Sequence, residues 1–287
     1  MNYERNQNKL RCKMKNQPIG FLDSGVGGLT VVKEVMKLLP DEEVYYIGDS
    51  ARNPYGPRPL SEVLEFTIQL ANLLVSKGIK ILVIACNTAT VAALEVLQGR
   101  LDIPVIGVIE SGTRAAVASS QNKNIGVIGT QGTIQSNEYE KQILKLLEDA
   151  EVQSVACPQF VSIVEKHQFQ DELAKNVVSE ELEPFLGSEM DTLVLGCTHY
   201  PLLQSIIQDY FGENLTLIDP GVETAIQVQN VLSKKDMLNK ATEGSKQHIF
   251  YTSGPVDKFE EIAKHWLKRS DIQVQHIAVE ELQKYGK

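Results

Sequence analysis

This sequence lacks most of the features that mark specialised protein classes. Its four cysteines, Cys12, Cys86, Cys157 and Cys197, are too sparse for a disulfide framework. None forms a Cys-x-x-Cys pair, which also counts against a structural zinc. Basic residues are in deficit, 28 against 37 acidic ones, giving a net charge of −9. That balance disfavours a nucleic-acid face or an anionic membrane surface. It leaves room for a small anionic substrate, because backbone N–H groups at helix N-termini hold a carboxylate locally. No apolar run reaches the roughly 18 residues of a membrane span. Residues 1–17 are polar and basic without the apolar core of a signal peptide, so they read as a disordered extension with Cys12 incidental. The expected setting is a reducing cytoplasm. There is no convincing dinucleotide fingerprint, no metal-ligand spacing, and no linker rich in Gly, Ser or Pro.

What is present is an alternation. Short apolar runs at 19–22, 44–47, 79–85, 104–108, 124–128, 152–156, 192–195, 215–218, 247–252 and 273–278 read as strands. Helical patterns lie between them, at 29–39, from Ser61, at 88–98, 113–119, up to about 147, and through 186. At 287 residues, two domains or one large one are expected. The alternation predicts an α/β fold with mainly parallel sheets flanked by helices, and ligands beyond the carboxyl ends of the strands.

Two strand ends are nearly alike: Ile-Leu-Val-Ile-Ala-Cys-Asn-Thr up to Thr88 and Thr-Leu-Val-Leu-Gly-Cys-Thr-His up to His199. Each puts a cysteine where a strand gives way to a helix, near unpaired N–H groups that favour a thiolate. A single cysteine there reads equally as a small buried hydrophobe; two in matched polar contexts, Cys86 and Cys197, read as paired acid/base groups. His199, two residues on, is placed to exchange a proton with Cys197 or substrate. Asp23 stands at the corresponding end of the first strand, either to orient Cys86 or to cap a helix as Ser24 also could. Gly25-x-Gly27-Gly28 has neither the Walker lysine nor dinucleotide spacing, so it reads as a tight turn letting backbone approach a carboxylate. Ser24, the Tyr55-Gly56 backbone, Asn87, Thr88, Thr130 and Thr198 offer polar groups for an amino-acid substrate. Asp49 and Glu165 read either as carboxylates facing its ammonium and the catalytic groups or as ordinary surface charges.

Two thiols suit one reaction well. Moving the α-proton of an amino acid without an electron-sink cofactor needs a base on one face and an acid on the other. A thiol, with an ordinary pKa of about 8.5, serves as either. Four ordered motifs carry a resemblance: Phe21 to Val31, Pro54 to Pro59, Ala85 to Thr90 and Leu195 to Pro201 are similar to the signatures of bacterial glutamate racemases. The resemblance implies a cofactor-independent two-base racemase supplying D-glutamate for peptidoglycan, with no metal. The cysteine matching Cys86 then works on D-glutamate and the one matching Cys197 on L-glutamate, assisted by Asp23, Glu165 and His199. It further implies two pseudo-symmetric α/β domains, 18–110 with about 222–287 and about 111–221, a site in the cleft between them, and a homodimer. Asn53 and Ser50 depart from many relatives, which have a cysteine and a threonine there; only local packing is expected to change. Aspartate racemisation, a thiol-redox couple and a non-catalytic amino-acid-binding protein are the competing readings.

Overall fold

The computed structural model describes residues 15–166, 168, 172–239 and 246–286. Along the chain run β1 (Ile19–Asp23), α1 (Leu29–Leu38), β2 (Val44–Gly48), α2 (Leu60–Ser76), β3 (Ile81–Ile84), α3 (Asn87–Arg100), β4 (Val105–Gly107) and α4 (Ile109–Ser119). Next come β5 (Asn124–Gly129), α5 (Gln131–Gln135), α6 (Glu138–Leu146), β6 (Glu151–Ala156), α7 (Pro158–Glu165), α8 (Glu172–Leu182), β7 (Thr192–Gly196), α9 (Gln204–Phe211) and β8 (Thr216–Ile218). The tail adds α10 (Pro220–Lys234), β9 (Ile249–Thr252), α11 (Val256–Leu267), β10 (Val274–His276) and α12 (Val279–Leu282).

Among the described residues the strands form two all-parallel sheets, ordered β10-β9-β2-β1-β3-β4 and β6-β5-β7-β8. Strands β1, β3 and β7 are buried at every position, which is why they read as continuous apolar runs rather than alternating ones. The register sets Leu22 beside Ile84 in the first sheet and Gly129 beside Gly196 in the second, so the strand ends that carry the polar motifs are level. One apolar cluster runs without a break from Phe21, Leu29 and Val83 around the first sheet to Ile128, Leu195, Phe160 and Tyr200 around the second. Helix α10 packs on both α1 and α4 and so ties the two sheets together.

Three differences from the expected elements have local causes. The helix expected up to about residue 147 is two helices, broken at Asn137, whose φ of 56° is left-handed. The helical pattern through residue 186 likewise divides into α7, α8 and a short 3-10 turn at Glu183–Phe185. Disorder through residue 17 fails at its end: the Lys15 carbonyl accepts from the buried Lys80 ammonium at 2.7 Å, and Lys15 Nζ reaches Asp236 at 2.7 Å. A buried ammonium needs acceptors, and the chain before β1 supplies one. The rest of that extension, with Cys12, lies outside the described residues. Among the described residues no helix is long and apolar enough to cross a membrane.

Candidate active site

Each sheet has a switch point early in its winding. The chain passes from β1 to β2 on one side while β3 lies on the other, and β5 stands likewise between β6 and β7. Connections diverging from such a point open a crevice beyond the carboxyl ends of the strands. Asp23 ends β1 and Cys86 follows β3; Thr130 follows β5 and Cys197 follows β7. The two crevices meet in one cavity lined by Ser24, Tyr55, Gly56, Cys86, Asn87 and Thr88 from the first sheet's loops and by Thr130, Cys197, Thr198 and His199 from the second's. Its volume is about 20 Å³, room for about one water molecule.

Cys86 is the N-cap of α3, as its position after a strand suggests. The Ala89 N–H and the Ser24 hydroxyl favour its thiolate, as expected at a helix N-terminus. Burial nevertheless dominates, reinforced by the Asp23 carboxylate and by Cys197, and pushes the thiol up to about 12. Asp23, fully buried, is itself raised by burial, although His199 and the Gly28 and Gly25 N–H groups pull it back. Its Oδ2 accepts from Gly25 N at 3.0 Å and its Oδ1 from Thr198 Oγ1 at 3.5 Å. Asp23 therefore lies under the cavity floor, linking the Cys86 side to the Cys197 side.

Cys197 differs from Cys86 in its backbone. A 3-10 turn at Tyr200–Leu203 follows it, not an α-helix. Pro201 has no N–H to reach the Cys197 carbonyl, which accepts from Tyr200 N at 3.0 Å instead. The tighter turn brings His199 Nδ1 to 3.8 Å from Cys197 Sγ. On its other side Glu165 Oε1 lies 3.4 Å from His199 Nε2, near enough to pair but out of line for a hydrogen bond. Burial opposes charge on His199, yet Cys197 and Glu165 outweigh it and push the ring up to about 10. Burial raises the Glu165 carboxyl, but His199 and the Asn53 amide outweigh it and hold it below its usual value. Asn53 Nδ2 donates to Glu165 Oε1 at 2.6 Å.

Three hydroxyls close the cavity across the sheets: Thr88 Oγ1 is 2.8 Å from Thr130 Oγ1 and 3.3 Å from Thr133 Oγ1, and the last two are 3.0 Å apart. Gly132 N donates to the Gly56 carbonyl at 2.9 Å in the same seam.

Some expected residues sit elsewhere. Asp49 does not face the cavity: it accepts from Arg52 Nε at 2.7 Å, Tyr55 Oη at 2.5 Å and Ser253 Oγ at 2.7 Å. A fully buried carboxylate needs such donors, so Asp49 holds Tyr55 from behind. Glu165 does not line the cavity and meets it through His199 and Asn53. Gly25, Gly27 and Gly28 are not among the residues lining the cavity. A Cβ on Gly27 would stand 2.3 Å from Thr198 Oγ1 and 2.7 Å from the His199 ring, so this glycine lets the second cysteine's corner approach. Asn53 does more than fill space, since it lines the cavity and holds Glu165. Thr133, Val161 and Tyr139 also belong to the site or its wall. Thr133 had a signal in its spacing, three residues after a helix-capping threonine. Tyr139 and Val161 had none, being brought in from α6 and α7 by packing alone. Among the described residues no three His, Cys, Asp or Glu side chains converge as a metal site requires.

Comparison with known proteins gives one consistent result. The family profile described as Asp/Glu/Hydantoin racemase matches residues 29–228. A glutamate racemase of Listeria innocua is 51% identical over 261 residues, covering 91% of this chain and 98% of its own length. The crystal structure of a glutamate racemase isoform from Bacillus anthracis superposes with a TM-score of 0.89 at 45% identity, covering 92% of this chain and 98% of that one. That of glutamate racemase from Francisella tularensis in complex with D-glutamate gives 0.85 at 34% identity, with the same coverage.

Proposed function

The chain belongs to the Asp/Glu/Hydantoin racemase family and within it to the glutamate racemases, and on that footing we propose that it interconverts L- and D-glutamate by passing the α-proton between Cys86 and Cys197. The observation that carries the two-base reading is one cavity receiving a thiol from each of two facing strand ends. A thiolate on one side removes the α-proton while the thiol opposite delivers another, so the carbon inverts with no change in oxidation state.

Burial and the Asp23 carboxylate hold Cys86 as a thiol. The α-ammonium of the substrate is the counter-charge this arrangement lacks, and its arrival favours a thiolate on Cys86 beside Asp23. On the other side His199, kept protonated by its neighbours, exchanges a proton with Cys197 while Glu165 holds the ring. In the direction implied by the resemblance, Cys197 takes the proton from L-glutamate and Cys86 from D-glutamate. Ser24, Asn87, Thr88, Thr130, Thr198 and the Tyr55-Gly56 segment hold the carboxylates and the ammonium.

The same reading divides the chain into 18–110 with 222–287 and 111–221. Its support is that β1 to β4, β9 and β10 make one sheet and β5 to β8 the other. A homodimer in the cytoplasm, feeding D-glutamate to peptidoglycan, completes it on the strength of the family resemblance; sedimentation tests the dimer.

Heavy water tests the chemistry. With L-glutamate as substrate, early product should carry deuterium at Cα while recovered substrate carries far less. Equal early labelling of both would point to one shared base and defeat the two-thiol scheme. Activity should also survive exhaustive chelation.

A further inference from the structure

Asn87 is the first residue of α3 and lines the cavity, but its side chain is held from the opposite sheet. Tyr139, on α6, is packed in the cluster of Ile109, Ile125 and Val194 and is 2% exposed. Its hydroxyl donates to Asn87 Oδ1 at 2.8 Å. Burial raises the phenol well above its ordinary range, so it keeps its proton. That proton has a single acceptor among the described residues. If the amide turned over, Nδ2 would face the phenol and the phenolic O–H would be left buried without an acceptor. The hydroxyl thereby selects one of two otherwise similar amide orientations. Oδ1 is taken, and Nδ2 with its two N–H groups is the end that remains for the cavity.

We propose that Tyr139 is a positioning residue for substrate recognition: through Asn87 it makes one wall of the cavity a pure hydrogen-bond donor that accepts a carboxylate of glutamate. An amide free to turn would present its carbonyl oxygen part of the time, and that oxygen repels an anion. The inference rests on the racemase reading, since it names what the wall holds. Tyr139 touches no substrate in this account and moves no proton. It acts on binding and leaves the chemical step to the thiols.

The test is steady-state kinetics of the full chain carrying Tyr139→Phe, with both enantiomers. Phenylalanine keeps the ring in its apolar setting and removes only the donor. KM should rise about 10-fold in both directions with kcat within about twofold, the loss expected for a hydrogen bond to a charged group that is no longer pre-set. Because the enantiomers are equal in energy in water, kcat/KM must fall equally both ways.

A double-mutant cycle separates positioning from general packing. Asn87→Ala should raise KM by itself, and adding Tyr139→Phe should then change little. Effects that multiply in the double variant, or an unchanged KM in Tyr139→Phe, would overturn the proposal. Asn87→Asp gives a second route if the phenylalanine variant folds poorly. It keeps an acceptor for Tyr139 but replaces the donor end with oxygen, so it should bind glutamate more weakly than Asn87→Ala; binding as tight as that of the alanine variant would also overturn it. Absence of glutamate turnover in the wild type would defeat the racemase reading itself, and normal turnover with a Tyr139→Phe KM like wild type would defeat only the role of Tyr139.

Discussion

Cys86 and Asp23 sit in one buried corner where burial and each other's charge keep the thiol protonated until a cation arrives. On the two-thiol proposal, removing either thiol should end the exchange, because each direction then needs one sulfur as base and the other as acid. Cys86→Ala and Cys197→Ala should each fold and lose activity both ways by about 10²-fold to 10⁴-fold or more, the range for a positioned acid or base. Near-normal turnover in either variant would remove the two-base scheme. Cys157, buried under the Tyr200 hydroxyl that donates to its carbonyl at 2.7 Å, takes no part, and Cys157→Ala should change kcat little. His199 titrates with a definite sign. Its folded value of about 10 stands above the ordinary 6.5, so the stability from its protonated form is complete below about pH 6.5 and is lost as pH rises through about 10. The deficit in urea midpoint of His199→Gln against wild type should therefore be largest near pH 6 and shrink toward pH 10. A deficit constant across that window would show that the ring acts by packing alone.

Among the elements, α10 is the joint between the second sheet and the tail, and its cap carries a cost. Asp219 accepts from Gly221 N at 2.8 Å at the head of this helix. Burial, with Glu34 and Glu223 nearby, raises its carboxyl to about 6 despite that N–H. Protonated below its ordinary value near 3.8, Asp219 carries no penalty; the penalty grows with pH and is complete above about 6. It is on the order of 3 kcal/mol at neutral pH. Asparagine keeps the capping oxygen and cannot ionise. Asp219→Asn should thus raise the urea midpoint at pH 8 and lose that advantage by pH 4, while Asp219→Ala, without the cap, should gain less. An equal effect of Asp219→Asn at both pH values would refute the burial argument.

For the whole molecule, the closed cavity is the governing fact. A space of about 20 Å³ holds no amino acid. The seam must part at the Thr88–Thr130 hydroxyls, the Gly132–Gly56 backbone bond and the Thr30 hydroxyl that donates to the Thr198 carbonyl at 3.1 Å. Once the parted seam has admitted glutamate, the cavity walls enclose it, and bound glutamate should raise the melting temperature by mass action. Iodoacetamide labelling followed by mass spectrometry should show Cys86 and Cys197 reacting slowly, more slowly still with glutamate, and Cys157 only in urea. If glutamate leaves the labelling of both site cysteines unchanged, the cavity does not close over substrate.

The residues of the site and their chemical character were present in the chain order: the apolar runs that become β1, β3 and β7, each followed by a polar corner, fold as fully buried parallel strands. Cys86, Cys197, Asp23 and His199 stand at such ends, so local pattern alone located them. Strand order was not legible there. The two switch points that turn four separate corners into facing crevices arise from which strands pair, and pairing depends on contacts between residues far apart in the chain. The same holds for Asp49, whose charge suits a substrate contact but which Arg52, Tyr55 and Ser253 surround. It holds for Tyr139, an ordinary amphipathic-helix tyrosine in sequence. Only the packing of α6 against the head of α3 makes its hydroxyl the partner of Asn87, because a hydrogen bond is set by direction and distance, and neither is written in the spacing of residues 52 positions apart.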